Sequence, residues 1–263
     1  MSVSEFVTKK HKASTARLYI HLLRKYKSWV EKTGKLDPVE YLRFLEESGA
    51  SLSTLRNSYY AISDLYEYQG KKLRDILRAP SGEEELHQPT LTPEEIRQMV
   101  EWAKDKGSEE ERAYLALATV YGMRRIELAQ FSQKDIGGRY IKIRTAKRGT
   151  IKEHFLPDEI ADHVLGHLFK PRSLTYMSYL FKAIATKSGV RNEKGMGWHS
   201  IRRALVTGLL RNKAEPVFVA KFLRWAGDRR DSQMRMLLTY AQFSPEEIDE
   251  AIYKVHPFLR YWR

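Results

Sequence analysis

The 263-residue sequence has no cysteine. That absence excludes a disulfide framework, a thiolate nucleophile and a cysteine-ligated zinc site. Nor does any apolar run approach the roughly 20 residues needed to cross a bilayer, and the opening Met-Ser-Val-Ser-Glu-Phe-Val-Thr-Lys-Lys lacks the apolar stretch of a signal peptide. The expectation is a cytoplasmic protein with no membrane partner. Low-complexity tracts and internal repeats are missing too, and a 42% hydrophobic share with 11% aromatics is that of a folded protein, so collagen-like and disordered classes fall away. Acid is the scarcer charge: 33 Asp and Glu face 46 Lys and Arg, a net +13. Such a surface suits a polyanion, with nucleic acid first and an anionic membrane surface second. At about 150 residues per domain the length suggests two domains.

Helix signals crowd the first 79 residues. Ser14 can cap a helix with Tyr19, Leu22, Leu23, Tyr26 and Val30 on one face and Gly34 at its end. Asp37-Pro38-Val39-Glu40 reads as N-cap, N1 proline and reciprocal glutamate, with Gly49 closing that helix. Ser53 opens a third, apolar at Leu55, Tyr59, Ile62, Leu65 and Tyr66, and Leu73 to Leu77 adds a short fourth. This predicts a helical N-terminal bundle over 1–79. Breakers and an acidic run make 80–91 a linker, and 92–263 a second, mainly helical domain. Thr92-Pro93-Glu94-Glu95 starts a helix there, Glu110 to Tyr121 carries another, and Gly122 breaks it. One strand pair stands out, Tyr140–Arg144 and Ile151–Phe155, turning through Ala146-Lys147-Arg148-Gly149. The fold class expected is mainly α with a small β-hairpin.

Three clusters could carry chemistry. Tyr121-Gly122-Met123-Arg124-Arg125-Ile126-Glu127-Leu128 sets arginine after a glycine break, where its fork can meet a phosphate, although a lone pair of arginines is more often a solvated helix face. His199 and Arg202 in Trp198-His199-Ser200-Ile201-Arg202 share a helical face at i and i+3. Tyr240 stands just upstream of the capped Ser244-Pro245-Glu246-Glu247 helix, but 15 tyrosines compete for any nucleophilic role. Two weaker signals accompany these. His163 and His167 lie at i and i+4 without the glutamate or third ligand of a metal site. The tail Tyr261-Trp262-Arg263 suits a stacking site for nucleic acid or packing into a neighbouring subunit.

In order, the clusters resemble the tyrosine recombinases, the integrase and Xer-type family. Gly122-Met-Arg-Arg-Ile-Glu-Leu128 is similar to the family's G-L-R-x-x-E-L box, which implies Arg124 as the first phosphate-clamping arginine and Glu127 as its supporting carboxylate. The turn bearing Lys147 resembles the family's lysine-bearing β-turn. His199-Ser-Ile-Arg202 resembles H-x-L-R, and Phe222-Leu-Arg-Trp-Ala-Gly227 resembles the L-L-G-H segment, with Trp225 in the histidine position. Tyr240-Ala-Gln-Phe-Ser-Pro-Glu-Glu247 resembles Y-x-H-x-S-P-E, implying Tyr240 as nucleophile. Two departures are Arg125, where the family carries an apolar residue, and the longer interval from Trp225 to Tyr240.

The resemblance implies an N-terminal core-binding bundle and a catalytic domain that together clamp duplex DNA. It also implies dimers on one site and tetramers in synapsis, and strand cleavage through a 3′-phosphotyrosine without metal, cofactor or ATP. Arg124 and Arg202 would stabilise the transition-state charge, Lys147 would protonate the leaving 5′ oxygen, and His199 would accept the tyrosine proton. The alternatives are a type IB topoisomerase-like nicking and resealing enzyme and a DNA-binding regulator of the same fold that no longer cuts.

Overall fold

Capping chemistry lays out the first of two units, Met1–Leu86 and His87–Arg263, in a computed structural model that describes residues 1–82, 89–145, 151–225 and 243–263. Helix α1 (Val3–Lys10) opens on a capping box in which the Ser2 hydroxyl accepts from the Glu5 N–H and the Glu5 carboxylate accepts from the Ser2 N–H. The sequence reading missed this helix. The following helix, α2 (Ala13–Thr33), starts one residue before Ser14, with Lys12 as its N-cap, so Ser14 lies inside the first turn and caps nothing. Gly34 ends it in the left-handed conformation. In α3 (Pro38–Glu47) Asp37 caps the Val39 N–H as expected, but Glu40 pairs with Lys35 at 3.0 Å rather than closing a box. The cap of α4 (Leu52–Tyr68) is Ser51, not Ser53, and the expected fourth helix is a single 3₁₀ turn, Leu73–Asp75.

This unit buries a small aromatic core of Tyr26, Tyr41, Leu42, Tyr59, Ile62 and Leu73. Two of its tyrosines place their hydroxyls on main-chain carbonyls, Tyr26 on Leu36 at 2.5 Å and Tyr59 on Leu77 at 3.0 Å. Asp64, nearly buried on α4, receives Lys10 at 2.8 Å and His11 at 2.7 Å and so moors α1.

The second unit is built on α5 (Pro93–Lys106) and α6 (Glu109–Tyr121), each opened by a capping box, Thr92 with Glu95 and Ser108 with Glu111. From Ala113 to Tyr121 every residue of α6 is buried, the mark of a helix surrounded on all sides by its own domain. After α7 (Arg125–Gln130) comes a three-stranded antiparallel sheet, β1 (Ile136–Gly137), β2 (Tyr140–Arg144) and β3 (Ile151–Phe155), in the order β1-β2-β3. The hairpin strands have the expected bounds, and the two-residue β1 was not anticipated. Ile141 and Ile143 point inward while Lys142 and Arg144 face out, and Ile141 pairs with His154 across the ladder.

Helices α8 (Asp158–Leu165), α9 (Leu174–Lys187), α10 (Trp198–Arg211), α11 (Pro216–Phe222) and α12 (Pro245–Lys254) complete the unit, giving twelve α-helices among the described residues. None of these is long and apolar enough to cross a membrane. The tail forms a 3₁₀ turn, Leu259–Trp262, in which Trp262 packs on its own unit and is not presented for stacking. The reason is a fitted indole: Trp262 is 3% exposed and donates its Nε1–H to Thr119 Oγ1 on α6 at 3.0 Å, while His163 packs 5.2 Å from its ring.

Candidate active site

Gly122 ends α6 at φ +55, a conformation other residues adopt only under strain. A Cβ there would meet Leu223 Cδ2 at 2.8 Å and Leu205 Cδ2 at 3.1 Å, so glycine is also demanded by close packing. The chain then turns into α7 with Arg124 at the N-cap. Glu127 holds that residue twice: Oε2 accepts its backbone N–H at 2.9 Å and Oε1 accepts a guanidinium N–H at 2.7 Å. The Glu127 side chain is fully buried, whereas a quarter of the Arg124 side chain, 25%, reaches solvent. Glu127 thereby orients a guanidinium whose outer face remains open.

Helix α10 supplies the second arginine. Trp198 anchors its start by donating to the Met177 carbonyl at 2.6 Å. One turn later Arg202, 2% exposed, donates Nη1 to Gly122 O at 2.6 Å and Nη2 to Leu223 O at 2.5 Å. Burial and the neighbouring Arg224 and Arg124 push its pKa down to about 9, which still leaves it charged at neutral pH. His199 lies exposed in the first turn. Its imidazole pKa is lowered by partial desolvation and by Arg203, Arg202 and Arg124, so neutral pH leaves it a base. The two residues that share a helical face thus part company in burial.

The sequence reading missed Arg224, which follows α11. It is fully buried, and among the described residues only it and Lys213 are non-glycine residues at positive φ, here +57. Backbone of that hand costs a side-chain-bearing residue about 1–2 kcal/mol. All its terminal N–H groups are used: Nη1 donates to Phe222 O at 3.0 Å and His154 Nε2 at 3.2 Å, and Nη2 to Tyr121 O at 3.0 Å and Glu127 Oε2 at 3.2 Å. His154 in turn donates Nδ1–H to Asp249 of α12 at 2.8 Å, and Asp249 accepts the Phe155 N–H at 2.6 Å. For Glu127, burial alone would raise the pKa, but Arg224, the Arg124 N–H and the Arg124 guanidinium more than offset it, and the group is lowered. The signal in the sequence was the resemblance itself, since Arg224 occupies the glycine position of L-L-G-H.

Arg124, Glu127, Arg202 and His199 therefore fall in one electrostatic neighbourhood. Trp225 is 43% exposed and touches none of them through a hydrogen bond or ring contact. Lys147 and Tyr240 lie outside the described residues. Beside Arg124 and His199 opens a cleft of about 860 Å³, lined also by Arg125, Lys182 and Lys194. No group of three or more metal-ligating side chains occurs among the described residues, and His167 packs against Tyr114 and Phe169.

A helical bundle followed by a mainly helical domain with a three-stranded sheet is a fold this chain shares with solved integrases and site-specific recombinases. The integrase of mycobacterium phage Brujita shares it at 17% identity and a TM-score of 0.52, over 99% of this chain and 97% of that one. A lambda integrase dimer bound to a COC′ core site gives 16% identity and a TM-score of 0.64 over 92% and 96% of the two chains. The XerH site-specific recombinase in a post-cleavage complex with palindromic difH substrate gives 20% and 0.63 over 91% and 80%. At these identities the fold is what is shared. No protein-family model and no curated protein matches the sequence.

Proposed function

We propose that this chain is a site-specific DNA recombinase that cleaves and rejoins strands through a tyrosyl-phosphate intermediate, with double-stranded DNA as substrate and assembly scaffold. The observation that carries the reading is the pair Arg124 and Arg202, each fixed by buried acceptors, in a fold shared with integrases and Xer recombinases solved on DNA. Attack by the Tyr240 hydroxyl on a phosphodiester forms a new P–O bond, places extra negative charge on the nonbridging oxygens and expels a 5′ hydroxyl. Two preoriented guanidiniums meet that charge, so the residues present can do this work without a metal. His199, held neutral, accepts the tyrosine proton, and Lys147 donates one to the departing oxygen. Trp225 takes the place at the site that the L-L-G-H pattern gives to histidine. The phosphotyrosine link conserves the broken bond's energy, and a second strand's 5′ hydroxyl reverses the step without ATP. The unit 1–79 serves as a core-binding domain, and dimers assemble on one site and tetramers in synapsis.

Incubation with nicked duplexes bearing candidate sites, followed by denaturing electrophoresis and peptide mapping, tests this. A covalent adduct at Tyr240 that Tyr240→Phe abolishes is expected, together with a loss of about 10² in cleavage rate for Arg124→Ala or Arg202→Ala. An adduct at Tyr253 or Tyr261 overturns the nucleophile. The absence of any adduct leaves the chain a DNA-binding regulator of this fold.

A further inference from the structure

We infer that Arg224 is the positioning residue that aligns both clamp arginines, Arg124 through Glu127 and Arg202 through the main chain at Leu223. The inference rests on the phosphate-clamp reading above and adds to it a residue outside the expected set. Glu127 Oε2 is shared between the Arg124 N–H at 2.9 Å and Arg224 Nη2 at 3.2 Å, so the carboxylate that orients Arg124 is itself oriented by Arg224. Leu223 O, which receives Arg202 at 2.5 Å, belongs to the residue immediately before Arg224. That carbonyl's direction is set by the peptide leading into the left-handed backbone at φ +57. Arg224 also grips Tyr121 O and Phe222 O, one just before Gly122, whose carbonyl is the other acceptor of Arg202.

A side chain that served only to fill space would not need this conformation. Glycine adopts it freely, and the L-L-G-H pattern has glycine here. An arginine kept in a strained backbone, fully buried and with every terminal N–H engaged, points to a role for the guanidinium that outweighs the strain. The network continues through His154, whose Nε2 accepts from Arg224, to Asp249 on α12, the helix that follows the Tyr240 segment in sequence. The same guanidinium thus connects the Arg124 turn, the start of the 225–244 stretch and the first helix after it.

The test compares Arg224→Met, Arg224→Lys and Arg224→Gly with the wild type on a nicked duplex at saturating and limiting DNA. Arg224→Met is expected to slow adduct formation at saturating DNA by about 10², with DNA affinity changed by less than about threefold, and Arg224→Lys to recover part of the rate. In a Glu127→Gln background the further loss from Arg224→Met should shrink, because the route through Glu127 is already broken and only the one through Leu223 is left to lose. Losses that simply multiply would overturn the inference. So would wild-type rates in Arg224→Gly, whose backbone fits the site without a guanidinium. If Arg224→Met loses its thermal transition, the lysine and glycine variants carry the comparison.

A second readout separates this inference from the recombinase reading. Titration with inorganic phosphate, followed by the His199 imidazole resonances, reports the clamp without DNA cleavage. Should the wild type form no adduct, the recombinase reading fails. A phosphate affinity about tenfold weaker in Arg224→Met still upholds Arg224. Unchanged phosphate affinity, or none in the wild type, overturns it.

Discussion

The two units of this chain handle charge in opposite ways. In the first, the core is aromatic and aliphatic, and the hydroxyls of Tyr26 and Tyr59 turn to main-chain carbonyls. Asp64 is the only charged side chain among its described residues that is buried. In the second, Glu111, Glu127, His154, Arg202, Arg224, Asp249 and His256 are all buried. Each of these makes hydrogen bonds, as groups removed from water must. Burial lowers the local dielectric, so a guanidinium fixed there interacts far more strongly with an approaching anion than one on a rim. The comparison teaches where to look for chemistry in a basic protein: among the described residues the only buried cations of Lys and Arg type, Arg202 and Arg224, both lie at the candidate site beside the part-exposed Arg124.

The largest change should come from the second unit's tail. Trp262→Ala removes a 3%-exposed indole and its bond to Thr119, and is expected to lower that unit's stability by about 3–5 kcal/mol. Calorimetry should show one transition falling while the first unit's stays put. A loss shared by both transitions would break the distinction between the units.

Acid should discriminate them next. His256 donates Nε2–H to Val120 O at 3.0 Å and accepts two backbone N–H groups at Nδ1, so it is held neutral, and burial lowers its pKa to about 4. The unfolded chain binds that proton near pH 6.5, so its contribution is full above 6.5 and is lost as pH falls toward 4, about 3 kcal/mol in all. Buried His154, also lowered, acts in the same direction. Urea melts at stepped pH should show the second unit weakening over that window, with a smaller slope in His256→Gln. Equal slopes would remove His256 as the cause. Smallest is Tyr59→Phe in the first unit, which strips one bond to Leu77 O at 3.0 Å and should cost about 1 kcal/mol by the same melts. A loss as large as that of Trp262→Ala would show the two cores to be built alike.

What was legible in the sequence was local. Asp37-Pro38, Thr92-Pro93 and Ser244-Pro245 announce helix starts because a cap acts within three residues. The alternation of Ile141, Lys142, Ile143 and Arg144 reads directly as a strand with one buried face. Where neighbouring serines compete, as at Ser51 and Ser53, the sequence chose the wrong one, since register is settled by which apolar face must turn inward. Helix α1 escaped because its charges hide a face that becomes apolar only against α2 and α4. In the candidate site, Arg124 and Glu127 are near in sequence and form a local pair. Arg224 joins residues some 70 to 100 positions away, and neither spacing nor composition reveals such a network.

Arg124 leans on a carboxylate and Arg202 on two peptide carbonyls, so under the recombinase reading the cradle they would form has a left and a right. The nonbridging oxygens of a phosphodiester are prochiral, and a handed cradle cannot treat them alike. Sulfur in place of either one at the scissile phosphate makes the Rp and Sp diastereomers, identical in charge and base sequence. Under the recombinase reading they should cleave at clearly unequal rates, and Arg202→Ala should narrow the gap by removing one side of the cradle. Equal rates from the two isomers would mean that the phosphate meets the pair as undirected positive charge, and that the separate mooring of each guanidinium has no bearing on the stereochemistry at phosphorus.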